Sequence, residues 1–334
     1  MKGVSPCTSP AHVTGRQMNL TTKKMGYLAL ATSLAIGITM SALTTAVAAP
    51  PAVVVYDSIG STVPGNVPSQ PFQAQQTSQF GDRVVLEAGP RNLTSVTVLM
   101  SSWGCESGSW NLGDCLTTPA ATFSHPLTLT IYNPPSAGLG VGTTIISSTQ
   151  TFDIPFRPSA STNCTGANAG KWSDGTTCYN GFATPVTFTF DGTVVLPSDL
   201  IWGLSFNTSG YGASPLGYSS ACAITVQGCG YDALNVGLSQ AAAPIVGTDL
   251  ASDGVYWDTD TAGYYCDGGT AGVGTFRSDA PCWTGFRPMA RIQTSDPTVG
   301  PPTSKDLCKK DGWKTFNNPS FKNQGDCVSF SNHS

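Results

Sequence analysis

The chain has 334 residues, with 16 Lys and Arg, 20 Asp and Glu and three His, for a formal net charge of −4. That balance excludes nucleic acid as a partner, because binding phosphates takes clustered Lys and Arg. So few histidines, beside cysteines expected to be oxidised, leave too few ligands for a zinc site, and no cofactor is implied.

In chain order, the first predicted element is an export leader over residues 1–48. Lys23 and Lys24 precede an apolar run at 26–43, and Ala46-Val47-Ala48 places small residues at the positions a signal peptidase reads. The run is rich in Ala, Thr, Ser and Gly, too weakly apolar for a good membrane anchor. Cleavage after Ala48 is expected, since a cut after Ala49 would leave Pro50 directly beyond the scissile bond. Loss of the leader removes four cations and no acid, leaving 12 against 20 and a net charge near −8. No transmembrane segment is expected in the mature chain.

The body, 49–293, alternates with a period of two. Runs at 53–56, 83–87, 93–100, 127–132, 185–190, 201–206 and 289–293 are rich in Val, Ile, Thr, Tyr and Phe and are separated by Gly, Pro, Asn and Ser. In 127–131 (LTLTI) and 186–190 (VTFTF) one face is apolar and the other largely hydroxylic, as in a half-buried antiparallel strand. Asp191-Gly192 before Val194-Val195-Leu196 signals a tight turn. No window of the body reads as an amphipathic helix, and no repeat of 20 to 50 residues stands out. The expected fold is all-β, an antiparallel β-sandwich of jelly-roll type.

Cys7 falls in the leader, and the other ten cysteines form five sequential couples: Cys105 with Cys115, Cys164 with Cys178, Cys222 with Cys229, Cys266 with Cys282, and Cys308 with Cys327. An even set in a chain with a leader places the protein outside the reducing cytosol, secreted or at the cell surface. Each couple would close a short loop and stabilise by about 2.5 to 3.2 kcal/mol in the chain-entropy account. Sequence alone leaves other pairings open.

Residues 294–304 (TSDPTVGPPTS) have the composition of a linker. Beyond it, 305–334 holds five lysines and three aspartates, a mildly basic unit too small to fold without its Cys308–Cys327 staple. Lys309, Lys310, Lys314 and Lys322, with Trp313, are candidates for docking to an acidic cell-wall polymer. The competing reading puts Trp313 in the minidomain's own core.

The tail, Cys308-Lys309-Lys310-Asp311-Gly312-Trp313, then Phe316, then 321–330 (FKNQGDCVSF), resembles a motif at the C-terminus of many uncharacterised secreted bacterial proteins, CKxxGW…FKNQGxCVSF. It departs from that pattern at Asp311, where Gly is common, and by the extra stretch 317–319. The body more loosely resembles secreted bacterial jelly-roll domains, through 79–82 (QFGD), 93–100 and 200–203. These resemblances imply an extracellular, surface-associated bacterial protein and carry no activity with them.

Catalytic signals are sparse. Apart from the leader there are two histidines, His125 at an apparent strand start and His333 next to the chain end, and no GxSxG motif accompanies them. Glu87 and Glu106 are the only glutamates; Glu106, beside Cys105 and near Trp103 and Trp110, is the most suggestive position for the alternative function, a glycoside hydrolase using paired carboxylates, which would need Glu106 or two aspartates in a groove. The acidic segment Asp249, Asp253, Asp258, Asp260 and Asp267 invites calcium, but 258–263 lacks a third side-chain ligand and Gly269 stands where an EF-hand wants Glu, so no metal is expected. The best binding case is aromatic. Trp103, Trp110, Trp172, Trp257 and Trp283 lie in or near the cysteine loops, where rings beside Asp, Asn and Thr could stack on sugar faces. The leading expectation is a secreted, non-catalytic protein that binds glycan or cell-wall polymer.

Overall fold

In β5 (Thr122–Tyr132), Leu127, Leu129 and Ile131 face the core while Thr128 and Thr130 lie on the opposite face, so the alternation in the sequence is the alternation of a strand with one core-facing side. A computed structural model of the chain describes residues 51–137, 140–240, 243–250, 254–260, 273–279, 285–297 and 299–333. Before β5 come β1 (Val53–Asp57), β2 (Ser69–Pro71), β3 (Thr77–Val85) and β4 (Asn92–Ser102). After it come β6 (Thr144–Pro155), β7 (Trp172–Ser173), β8 (Cys178–Tyr179), β9 (Phe182–Thr189), β10 (Asp199–Ser205) and β11 (Leu234–Gln240). The series ends with β12 (Thr248–Asp249), β13 (Val255–Thr259), β14 (Arg277–Asp279), β15 (Phe286–Pro288), β16 (Ala290–Ser295) and one helix, α1 (Gln324–Ser331).

Two large antiparallel sheets carry the fold. One runs β1-β16-β4-β11-β15, with β9 on the far edge of β4 and β2 beside β11. The other runs β14-β13-β3-β10-β5-β6, with β12 also on β3. Setting aside the short strands and β11 and β13, eight long strands remain. They pair first with eighth (β1 and β16), second with seventh (β3 and β10), third with sixth (β4 and β9) and fourth with fifth (β5 and β6), as though one long hairpin had been rolled up. Inward residues from both sheets meet in one apolar cluster: Tyr56, Val96, Val98, Met100, Phe188 and Ile292 from the first, Phe80, Val84, Leu129, Trp202 and Trp257 from the second. Burial of that shared face drives the association of the sheets.

The structure departs from the sequence reading at particular places. β6, a strand of 12 residues, coincides with none of the apolar runs in the sequence, because Ser147, Ser148, Thr149 and Gln150 dilute its apolar signal. β3 begins at Thr77, six residues earlier than the run at 83–87. Gly192 does turn the chain, at φ +79°, but Val194 to Leu196 do not return along β9. They meet β4 instead, through one bridge between Asn92 and Val195. β16 runs to Ser295, so Thr294 and Ser295 are buried sheet residues and not linker. The rest of the linker is tethered as well: Val299 donates to Asn317 Oδ1 at 2.7 Å and Asn317 Nδ2 donates to Pro297 O at 2.7 Å, fastening it to the tail.

A polar cluster interrupts the core. Asp82 points inward from the centre of β3 and is 1% exposed. Its Oδ1 accepts from Arg83 N at 2.7 Å, while its Oδ2 has no partner. Around it stand Asp249 from β12, Arg287 from β15 and Tyr56 from β1; Arg287 Nη1 spends its charge on Asp249 Oδ2 at 2.8 Å. Burial, and then the Asp249 charge, push the Asp82 carboxyl well above the ordinary carboxylate range, with Arg287 opposing. A group whose pKa rises on folding contributes stability that is complete below its unfolded value, about 3.9, and is lost as pH climbs through the folded value. The melting temperature should therefore fall as pH is raised above about 4, and Asp82→Asn, which keeps the shape and cannot ionise, should flatten that slope and melt higher at the alkaline end. Thermal unfolding followed by circular dichroism across that range checks this; parallel profiles for the two proteins would refute it.

Candidate functional site

Strand β4 ends at Ser102, and the chain passes directly into Trp103 and a loop closed by Cys105–Cys115. Trp103 is fixed from three sides. Its backbone N donates to Ala233 O at 2.9 Å, its Nε1 donates to Ser101 Oγ at 2.9 Å, and Ser101 Oγ donates to Asn66 Oδ1 at 2.7 Å. Trp110 stands edge-on to it, with ring centroids 4.7 Å apart and planes at 87°. Offset and edge-to-face geometries of this kind are the favourable ones for aromatic pairs. Trp110 keeps 41% of its surface exposed. Inside the loop, Ser109 N donates to Asp114 Oδ1 at 2.8 Å, and Gly108, at φ +75°, makes a turn where any side chain would run into the Asp114 carbonyl.

The opposite wall comes from the segment between β10 and β16, more than 100 residues away in sequence. Asp232 organises it. Its Oδ1 accepts from Ser209 N at 2.6 Å and its Oδ2 from Ser209 Oγ at 2.7 Å and Cys229 N at 3.0 Å, tying a 3-10 turn to the Cys222–Cys229 loop. That loop carries exposed Ile224 and Val226.

Between these walls lie concavities that share lining residues. One of about 360 Å³ is bounded by Trp103 and Trp110 with Pro71, Gln73, Asp232 and Asn235. One of about 200 Å³ touches the same two tryptophans with Asn111, Val226 and Gln227. It passes, through Cys105 and Gln227, into one of about 460 Å³ holding Glu106, Phe123, Phe156 and Tyr231. Phe156 links that in turn to one of about 570 Å³ lined by Pro119, Pro158 and Phe182. Among the described residues, no Lys or Arg lines any of these four, and Asp232 and Glu106 are the carboxylates that do.

Glu106 accepts from Thr118 N at 2.5 Å and is fully exposed. The Thr118 backbone bond, then its side chain, hold this carboxyl below its ordinary range, the opposite of what a general acid needs. His125 is buried, with Nε2 donating to Asn207 O at 2.7 Å and its ring stacked on Tyr231 at 4.4 Å. Burial pushes its imidazole down, toward the neutral form. It packs between Tyr231 and Phe206.

The remaining aromatic candidates separate by burial. Trp257 is fully buried and donates Nε1 to Thr77 Oγ1 at 3.2 Å, so it is a core residue with no face for a ligand. Trp172 is also buried, donates Nε1 to Gly181 O at 2.6 Å and packs on Tyr179 and Phe182, where it supports the hairpin closed by Cys164–Cys178. Trp283 and the couple Cys266 with Cys282 lie outside the described residues. Asp253 and Asp267 of the acidic segment lie there too, and Asp249 is taken by Arg287.

In the tail, Trp313 packs with Phe321 and Val328 against Cys308, Phe316 and Cys327, so its ring serves the minidomain's own small core. Lys309 pairs with Asp306 at 2.7 Å and Lys314 with Asp311 at 3.3 Å, while Lys314 also lies 5.5 Å from the Trp313 ring centre. Lys310 and Lys322 are exposed.

Gln73, Asn235 and the Cys222–Cys229 wall carry no sequence signal that marks them as partners of the tryptophans. Their proximity arises only when β2 and β11 pair beside β4. No protein family, curated protein or solved structure matches the chain. Among the described residues, no helix is long and apolar enough to cross a membrane.

The rigidity of the Trp110 loop should depend on its staple. Replacing Cys105 and Cys115 together by Ser is expected to lower unfolding stability by about 2.5 to 3 kcal/mol and to shift Trp110 emission to the red while the sheets persist. Denaturant unfolding and fluorescence read this, and an unchanged midpoint would show that the loop is held by its hydrogen bonds alone.

Proposed function

We propose that this chain is a secreted, non-catalytic cell-surface protein, built on an eight-stranded jelly roll, that binds an uncharged polysaccharide at its loop end. The pairing of the eight long strands supports the jelly-roll reading, since that fold is two Greek keys formed by one rolled hairpin. The four disulfides within the described residues support an oxidising compartment.

The observation that carries the ligand is the half-exposed Trp110 ring, held against Trp103 above a concavity walled by the carboxamides of Gln73 and Asn235. A flat apolar face beside amide donors and acceptors is the chemistry that sugar rings meet, stacking on one side and hydrogen-bonding at the rim. Among the described residues no cation lines the concavities while Asp232 does, which favours a neutral polymer; an acidic wall polymer would instead be met by Lys310 and Lys322 in the tail. The glycosidase alternative loses support, because Glu106 is an exposed carboxylate of lowered pKa and not a shielded acid.

Binding of the oxidised protein to a panel of neutral and acidic polysaccharides and cell-wall preparations tests the reading. Trp110→Ala should weaken the best neutral ligand at least tenfold, about 1.4 kcal/mol, with the melting temperature unchanged, and deletion of residues 305–334 should leave that affinity intact. Failure of the wild-type protein to retain any neutral polysaccharide would remove the proposal.

A further inference from the structure

Backbone groups at the edge of a sheet seek partners, and folded proteins close such edges with short strands, bulges, prolines, charges or covering segments. Most edges here are closed. The outer side of β1 is covered, by Glu87 N donating to Val55 O at 2.8 Å, Asp57 N to Val246 O at 3.0 Å and Ile245 N to Asp57 O at 2.7 Å. β9 carries Pro185, and its Ala183 N donates to Gly65 O at 3.0 Å. At its far end the Gln150 carboxamide stands in for a strand, donating Nε2 to Thr189 O at 2.9 Å and accepting from Thr189 N at 3.2 Å. β14 and β15 are three residues each.

β6 is the exception. It is 12 residues long, pairs with β5 from Thr144 to Pro155 with a single bulge at Ile145 near its start, and lies last in its sheet. Beyond the β5 pairing, no backbone hydrogen bond reaches residues 144–155 from any described residue. Between Thr144 and Phe152 it has no charge and no proline; Asp153 and Pro155 come only at its end. On its outward face Ser147, Thr149 and Thr151 are exposed, and on its inward face Ile146, Ser148, Gln150 and Phe152 are half-buried.

We infer that β6 is a self-association edge, and that its partner is β6 of a second copy of this chain, paired antiparallel across a two-fold axis. The sequence of the strand fits itself. An axis through Thr149 sets Ser147 opposite Thr151, Ser148 opposite Gln150 and Ile146 opposite Phe152, so hydroxyl meets hydroxyl, polar meets polar and apolar meets apolar. The one charge, Asp153, falls opposite Ile145 and never opposite itself. The hydroxyl row already pairs this way with β5: Thr128 Oγ1 lies 2.8 Å from Thr149 Oγ1, and Thr130 Oγ1 lies 2.9 Å from Ser147 Oγ. Repeating that pattern on the other side of β6 is the isologous interface that two-fold symmetry requires. Ile146 and Phe152, which only partly reach the core, would gain cover. An edge-to-edge contact alone is small beside a standard interface, so the dimer is reversible and concentration-dependent. The contact lies on β6 and involves neither Trp103 nor Trp110, so it does not depend on the polysaccharide reading.

Sedimentation velocity of the oxidised protein over a concentration series is the direct test. A reversible monomer–dimer equilibrium is expected for the wild type, and Thr149→Lys with Thr151→Lys, two exposed positions that would bring like charges together across the axis, should leave monomer only. The lysine variant should keep the wild-type circular dichroism and melting temperature. Hydrogen exchange on the wild type gives a second reading that needs no variant: β6 amides should slow as protein concentration rises. A synthetic peptide of residues 144–155 should compete the dimer apart. A wild type that stays monomeric up to its solubility limit, a dimer that survives both lysines, or β6 amides whose exchange ignores concentration would each overturn the inference, and the first would leave the edge to a strand of a different protein.

Discussion

Strand β4 is clamped along both edges, by β9 on one side and by β16 followed by β11 on the other, and that clamp governs what lies downstream of it. Its inward residues Val96, Val98 and Met100 sit in the main core, while Leu99 on the opposite face packs with Ile59, Ala183 and Met289. A strand buried on both faces and bonded on both edges has almost no freedom at its end. Ser101, Ser102 and Trp103 therefore leave it along a fixed path, and Trp103 reaches Ser101 Oγ and the Ala233 carbonyl without a flexible joint between. The fixed position of the Trp103 ring is inherited from the sheet, and the Cys105–Cys115 staple carries that order outward to Trp110.

The same rolled pairing also explains where the irregular chain goes. Joining first strand to eighth and fourth to fifth puts the long connections at the ends of the sandwich, where loops can grow without disturbing the core. The segment between β10 and β16 uses that freedom. It adds β11 beside β4 and β13 beside β3, one to each sheet, and packs the Cys222–Cys229 loop against the loop that follows β4. Disulfides are concentrated in such segments because their backbone has few ladder bonds to hold it. The tail solves the same problem on a smaller scale, with one disulfide, three aromatic rings and α1 forming a core of its own.

Charge is handled in two ways. At the surface, carboxylates are absorbed locally: Asp174, held down to about 2 chiefly by backbone bonds from Thr177 and Thr176, stiffens the hairpin of β7 and β8. In the core, Asp82 has no such donors beyond Arg83 N and is left with burial as its dominant influence. Placing an ionisable group between the sheets costs free energy at neutral pH. The same sheet also excludes side chains at the cross-strand pair Gly81 and Gly203, where a side chain at Gly81 would collide with the Trp202 carbonyl and one at Gly203 with Phe276 and Gln79.

Much of the fold was legible because strand alternation is local. The LTLTI and VTFTF stretches state which residues go in, and adjacent cysteine couples in short loops made sequential pairing the simplest connectivity. β6 was not legible, since the half-buried edge of a sandwich tolerates Ser, Thr and Gln where a central strand would show Val or Ile. For the candidate site, the sequence named Trp103 and Trp110 but named Trp172 and Trp257 with equal weight. Aromatic content tells nothing of burial, and only the register of β13 on β3 turns Trp257 inward to Thr77. Likewise the sequence left two readings for Trp313 and Lys309, docking or a self-contained minidomain, and the tail packs the first into its core and pairs the second with Asp306. What the sequence determined alone was the strand class, the spacing of the cysteine couples and the acidic, histidine-poor composition, all properties of short windows or of totals. What the tertiary structure decided was which rings stay exposed, which carboxyl is buried and which strand edge has no backbone partner among the described residues, because each depends on contacts between residues far apart in the chain.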